Sequence, residues 1–219
     1  MANTTYFTIF PSIIAKEDKT EPAVALDLGR CRFAVIVDTF GNLKVIEGDI
    51  LEDYCERAGK DEASFHSLNW YISLVCVKLA TEWKERGIRF VYVGNCGGDY
   101  FKLCGSKEDD PLYRFEVHKR FVQALRECCE DFGMEFIVAD ESYTSKASAL
   151  SNDDIPSYGD DVDDEVCFHG TRINGSYIVD QHITINADVN GAINILRKEG
   201  HSIVLKPSSK IFDYISVVF

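Results

Sequence analysis

The sequence contains no Cys-x-x-Cys pair, no apolar run approaching the roughly eighteen residues of a membrane span, and too few basic residues to balance its acids. Each shortage excludes something. Without cysteine pairs a four-ligand zinc ribbon cannot be assembled at ordinary spacing, so no structural zinc is expected. The eight cysteines are scattered, mostly inside apolar patterns, and read as reduced, packed thiols rather than a disulfide framework. The start, MANTTYFTIF, has neither a basic n-region nor a small-residue cleavage site, so the expectation is a soluble, cytoplasmic protein without a membrane partner. With 23 basic and 36 acidic residues the net charge is −13, the wrong sign for a chain that grips nucleic acid alone. Much of the excess is local: Asp153, Asp154, Asp160, Asp161, Asp163, Asp164 and Glu165 fall in one stretch, which reads as a solvated loop.

What is present is a chain of 219 residues, enough for one full hydrophobic core with extensions. The run AVALDL at 23–28 is followed, after only Gly29 and Arg30, by CRFAVIVD at 31–38. This is a hairpin signature, and the turn at Thr39–Asn42 predicts a third antiparallel strand from Leu43. Tyr6 to Ile14 reads as an added edge strand. Phe65, Leu68, Ile72, Val75, Cys76, Leu79 and Trp83 recur at helical spacing, with Gly87 as the stop. A buried strand, Ile88–Val93, opens into the glycine-rich stretch 94–98, by itself weak evidence for phosphate binding. Asp110-Pro111 caps a second helix that Gly133 ends, and Met134–Ala139 reads as a short central strand. A β pair is expected around Val166–Phe168 and Tyr177–Val179, and a last helix over Asp188–Lys198. The order of elements is that of an α/β, RNase H-like fold, a mixed sheet with three antiparallel N-terminal strands flanked by helices. The expected divisions are an N-terminal extension or edge strand at 1–22, a core at 23–200 with an acidic and β excursion at 147–187, and a C-terminal tail at 201–219.

In such a sheet the first strand, the end of a later strand and the last helix can each bring an acid to one place. Asp27, Glu141 and Asp188 occupy those positions. Two-metal phosphodiester hydrolysis needs converging carboxylates that hold ions roughly 3.5–4 Å apart. Asp27 stands out because a charge inside an apolar strand is costly unless compensated; its alternative reading is a turn-capping aspartate. Asp188 equally suits a plain helix N-cap. Lys146, Arg172, Arg197 and Lys198 are candidates for phosphate contacts or ordinary surface charge. Tyr143 is a candidate for base stacking or for the core.

The stretch Glu141-Ser-Tyr-Thr-Ser-Lys-Ala-Ser148, followed by Ile-Asn-Ala-Asp188-Val-Asn-Gly-Ala-Ile-Asn-Ile-Leu-Arg-Lys198, closely resembles the C-terminal part of the insertion-sequence OrfB proteins, also called TnpB. These are transposon-encoded, RNA-guided DNA nucleases related to type V CRISPR effectors, and residues 23–38 resemble their first RuvC motif. The resemblance implies a RuvC-type core in which Asp27, Glu141 and Asp188 are the catalytic, metal-holding acids for Mg2+ or Mn2+, with DNA as substrate and guide RNA as partner. It puts the second-motif acid of most members at position 94, where this chain has Gly94; Glu141 is then a relocated ligand, with Asp140 its nearest rival. The long N-terminal guide- and target-binding region of that family has no counterpart before Asp27, so a second protein chain or an oligomer is expected to supply it.

Other classes fit less well. A nuclease-inactive, RNA-guided DNA-binding or assembly subunit on the same fold would account for the negative charge and for Gly94. An actin-like or sugar-kinase ATPase also begins with a strand ending in Asp-Leu-Gly, but it needs glycines after a second aspartate, and Asp188 is followed by Val189 and Asn190. A dinucleotide-binding fold is excluded because Gly29 leads into a strand and G-x-G-x-x-G is absent.

Overall fold

The computed structural model describes residues 12–29, 32–47, 62–95, 111–157, 159, 167–206 and 208–217. The short strand β1 (Ser12–Ile13) precedes three strands, β2 (Ala23–Leu28), β3 (Arg32–Asp38) and β4 (Leu43–Glu47). Helix α1 (Glu62–Glu85) leads to β5 (Phe90–Asn95), and helix α2 (Pro111–Asp131) to β6 (Glu135–Asp140). Strands β7 (Thr171–Ile173), β8 (Ser176–Ile178) and β9 (Ile183–Asn186) run into helix α3 (Ala187–Lys198). Strand β10 (Ile203–Val204), a 3-10 turn at Lys210–Tyr214 and β11 (Ile215–Val217) complete the described chain.

The main sheet has the order β4-β3-β2-β5-β6. Its first three strands are antiparallel, whereas β5 pairs parallel with both β2 and β6. The alternation of side chains sends Val24, Leu26 and Leu28 to one face, where they meet Leu68, Ile72, Cys76 and Leu79 of α1 and Phe121, Leu125 and Cys129 of α2. Ala23 and Ala25 point to the opposite face, with Tyr92 and Ala139, against Val189, Ala192, Ile193 and Leu196 of α3. A period of two therefore carries Asp27 onto the α3 face, after two alanines whose small size lets the helix approach.

The C-terminal residues close this second layer. Strand β11 pairs with β9 in a sheet of order β11-β9-β8-β7, and β1 pairs with β10. Ile211, Phe212 and Ile215 are buried there, so this part of the tail completes the core.

Several expectations from sequence are corrected. The first strand of the expected β pair lies later, at Thr171–Ile173, whereas the second, Ser176–Ile178, overlaps its expected place; Asn174, with a positive φ of 48°, makes the hairpin turn with Gly175. Cys167 and Phe168 belong to no strand, and Cys167 is exposed rather than packed, unlike buried Cys76 and Cys129. The strand after α2 starts at Glu135, one residue past Met134, and lies at the edge of the main sheet rather than at its centre. Asp153 is buried, not solvated: its carboxylate accepts from the backbone N–H groups of Ser148 and His169 and pairs with His169 Nδ1 at 2.7 Å. Cys31, Cys55, Cys96, Cys104, the glycines at 97 and 98, Asp110, Val166, the acids at 160–165, most of the Tyr6–Ile14 segment and Phe219 lie outside the described residues.

Candidate active site

Three elements bring carboxylates to the same end of the sheet. In the β2–β5 register Leu26 lies beside Val93, which sets Asp27 beside Gly94, and Gly94 in turn pairs with Ala139 of β6. Glu141 follows the end of β6 and turns back across its neighbour: a Cβ placed on Gly94 would overlap the Glu141 carboxylate. The side chain of Glu141 thus occupies the space that a side chain at 94 would fill. Gly191 does the same for Asp27, because a Cβ there would overlap Asp27 Oδ2. These two glycines are the notches through which the acids reach one another.

Asp188 enters from the first turn of α3. The N-cap role that Asp188 also suits is taken by Asn186, whose Oδ1 accepts from the N–H groups of Asp188 and Val189, each at 3.2 Å. This frees the Asp188 carboxylate for the site, where Arg172 Nη2 donates to Oδ1 at 2.9 Å and Arg32 Nη1 approaches Oδ2 at 3.4 Å. Asp27 shows the electrostatic result. Burial first, then the Glu141 and Asp188 carboxylates, push its carboxyl well above the usual range, while Arg172 opposes them.

The loop carrying Glu141 is fixed from below by α3. Asn190 Nδ2 donates to Ala147 O at 2.8 Å and its Oδ1 accepts from Ala149 N at 3.0 Å. Asn194 Nδ2 donates to Thr144 O at 2.9 Å and Ala147 O at 2.7 Å. Tyr177 adds a bond from its hydroxyl to Lys146 O at 2.6 Å. Sequence reading passed over both asparagines, although two amides spaced by four in a largely apolar helix were the available signal.

The basic candidates divide. Arg197 is buried and donates to Ile14 O, Asn194 Oδ1 and Asp153 O, so it braces the excursion and does not face a phosphate. Burial lowers its pKa to about 10, against the pull of Asp153 and Asp154. Lys198 is likewise internal, bonding Ser142 O, Ser142 Oγ and Pro156 O and pairing with Asp140 Oδ2 at 2.7 Å. That pair engages the rival acid. Burial alone would raise the Asp140 carboxyl, but hydrogen bonds from Lys198, Ser142 and Ser157 outweigh it and hold it below the usual range. Arg172 remains at the carboxylates. Lys146 is exposed and sits 5.2 Å over the ring of Tyr143, which stacks on Phe168 at 5.9 Å.

Among the described residues no group of three His, Cys, Asp or Glu side chains is already gathered as a metal site. Asp188 is turned to its two arginines instead. The donor chemistry nevertheless fits a hard divalent cation: three carboxylates, two of them seated in glycine notches, with Asp27 carrying an unfavourable charge that a cation would relieve.

The architecture and the cluster define a mixed α/β domain with acids converging at the strand ends. Residues 118–195 match the family model described as the Cas12f1-like TNB domain. Two solved structures share the fold. A cryo-EM structure of a CRISPR-Cas12f ternary complex matches with a TM-score of 0.51 at 15% identity over 83% of this chain. A cryo-EM structure of a Cas12f1-sgRNA-target DNA complex matches with a TM-score of 0.52 at 15% identity over 82% of this chain. The chain spans 40% and 50% of those two proteins, respectively. No curated protein matches the sequence. This chain is related to the TnpB and Cas12f proteins. Among the described residues no helix is long and apolar enough to cross a membrane.

Proposed function

We propose that this chain is a RuvC-like, RNase H-like, metal-dependent DNA endonuclease subunit that works in an RNA-guided complex with a separate chain or a second protomer. The observation that carries the reading is the placement of Glu141 over Gly94, on the face that also bears Asp27 and receives Asp188. The sheet order, with β2 central, an antiparallel pair on one side and parallel neighbours on the other, supports the RNase H-like assignment. One of the solved structures that share the fold is a complex with sgRNA and target DNA, which supports the same partners here.

Asp27, Glu141 and Asp188 would hold Mg2+ or Mn2+. When bound, such an ion supplies Lewis acidity to a phosphodiester and neutralises charge at the leaving oxygen. The protein's own contribution is placement. Gly94 and Gly191 admit the carboxylates, Asn186 caps α3 so that Asp188 need not, and Asn190 and Asn194 fix the loop behind Glu141. Arg172, bonded to Asp188, would offer its guanidinium to a phosphate held beside the acids.

One observation favours the second reading, a nuclease-inactive subunit that binds or assembles: both Asp188 oxygens are engaged by arginines, in a chain of net charge −13. Cleavage assays separate the two. With Mg2+ or Mn2+ and any co-purifying RNA and protein retained, single-stranded DNA should be cut by the parent and not by Asp27→Ala, Asp188→Ala or Glu141→Gln, all of which should stay folded. Asp140→Asn should keep most of the activity. Equal cutting by parent and Asp27→Ala would remove the nuclease reading.

A further inference from the structure

Asp188 is bonded at both oxygens by guanidinium groups that arrive from different parts of the fold. Arg172 comes from β7, with its side chain 44% exposed; Arg32 comes from the start of β3, beside the β2–β3 hairpin, at 28%. The Arg32 contact is the longer of the two, and its Nε is buried with no hydrogen-bond partner among the described residues. An arginine held by one long bond, with a buried donor unspent, is poised to take a second partner. Two guanidiniums offset the charge of Asp188 and occupy one acceptor site on each of its oxygens, so a cation at this carboxylate competes with them. The same planar N–H array that fits a carboxylate also fits the oxygens of a phosphodiester. The other basic candidates near the loop, Arg197 and Lys198, are committed to internal acceptors.

We propose that Arg32 is a phosphate-positioning residue that exchanges partners, holding Asp188 in the free chain and the backbone phosphate of a bound single strand once Asp188 turns to a divalent cation. The inference deepens the nuclease reading and rests on it. Competition at Asp188 makes the exchange reciprocal: cation at the acids releases Arg32, and phosphate on Arg32 releases Asp188, so each ligand favours the other.

The test is a pair of binding measurements on the full chain, with its co-purifying partners, in which no bond needs to break. Mn2+ affinity is read by calorimetry, and affinity for a fluorescent single-stranded oligonucleotide by anisotropy in saturating Ca2+. Removing the competitor in Arg32→Met should tighten Mn2+ binding about three- to fivefold, the scale of one part-exposed ion pair. The same variant should weaken the oligonucleotide and lower the slope of log affinity against log salt by about one unit, the mark of one lost phosphate contact. Arg32→Lys keeps the charge but not the fork and should move both readings in the same direction by less; it serves if the methionine variant is unstable. Unchanged or weaker Mn2+ binding in Arg32→Met, where the parent binds Mn2+ and Asp27→Asn does not, overturns the exchange and leaves the nuclease reading standing. Mn2+ binding absent from the parent overturns both.

Discussion

The two faces of the main sheet are built on different principles. Against α1 and α2 the core is hydrocarbon and thiol: Leu26, Ile36, Leu68, Ile72, Leu79, Trp83, Phe121 and Leu125, with Cys76 and Cys129 pushed upward in pKa by burial, Cys129 to about 12. Against α3 the core also contains Ser142, Thr144, Ser148, Asp153, Asn190, Asn194 and Arg197, all buried. Buried polar groups cost stability unless bonded, and here they are bonded to one another's backbone around the loop that carries Glu141. One face serves stability; the other holds a loop in one place.

That contrast can be broken by substitution, beginning where the effect is largest. Phe121→Ala on the α1/α2 face should cost about 3–5 kcal/mol of unfolding free energy, since it removes a fully packed ring that also meets Phe33 edge-on. Its folded fraction should retain the parent's cutting rate in the reconstituted complex. A rate loss in that fraction would show that the hydrocarbon face also sets the site. Gly94→Val should do the reverse. The new side chain takes the space of the Glu141 carboxylate, so cleavage should fall about 100-fold, as expected for a misplacement near 1 Å, while chemical denaturation shows a much smaller change.

Asn194→Ala joins the two kinds of effect. It leaves Thr144 O without that donor and deprives Arg197 Nη1 of its acceptor, so unfolding should become easier by about 1–3 kcal/mol. The loop at 144–149 should exchange its amide hydrogens faster than the α1 and α2 amides do. Uniform acceleration across both faces would refute the division of labour.

The hydrophobic face was the more legible in sequence, because apolar periodicity reports burial directly: the spacing of Leu68, Ile72, Cys76, Leu79 and Trp83 marks α1, and AVALDL with its partner marks the hairpin. Asp27 was legible for the complementary reason, as a charge inside an apolar strand. The polar face was not. Arg197 and Lys198 read as surface cations at a helix end, since nothing local shows that a loop more than forty residues earlier folds over them to supply acceptors. Asp153 was hidden in an acidic run whose composition suggests only solvent. Asn186 was missed as the cap because Asp188 is an equally good capping residue by type, and only the backbone decides between them. Arg32 carries no sequence signal; its contact with Asp188 is visible only in the fold.

The smallest predicted effect concerns the charge that the polar face leaves uncompensated. Burial, Glu141 and Asp188 raise the Asp27 carboxyl above its unfolded value of about 3.9. Between the unfolded and folded values the native chain binds more proton than the unfolded one, so stability falls as pH rises through that window, and above it the native chain carries the full penalty. An amide in place of this carboxyl carries none. Without divalent cation at pH 7, Asp27→Asn should therefore be more stable than the parent, by about 1 kcal/mol, at the small end of single-substitution effects. The difference should shrink as pH falls toward the unfolded value, where the parent's carboxyl is neutral as well. Mn2+ should reverse the order, because a ligand at 100 times its dissociation constant stabilises the chain that binds it by about 2.7 kcal/mol, and the variant lacks the central carboxylate. Thermal unfolding at two pH values, with and without Mn2+, reads all four corners of this cycle. A variant less stable than the parent at pH 7 without cation would mean that Asp27 is already neutralised within the fold, and that the cluster has no charge left for a metal to relieve.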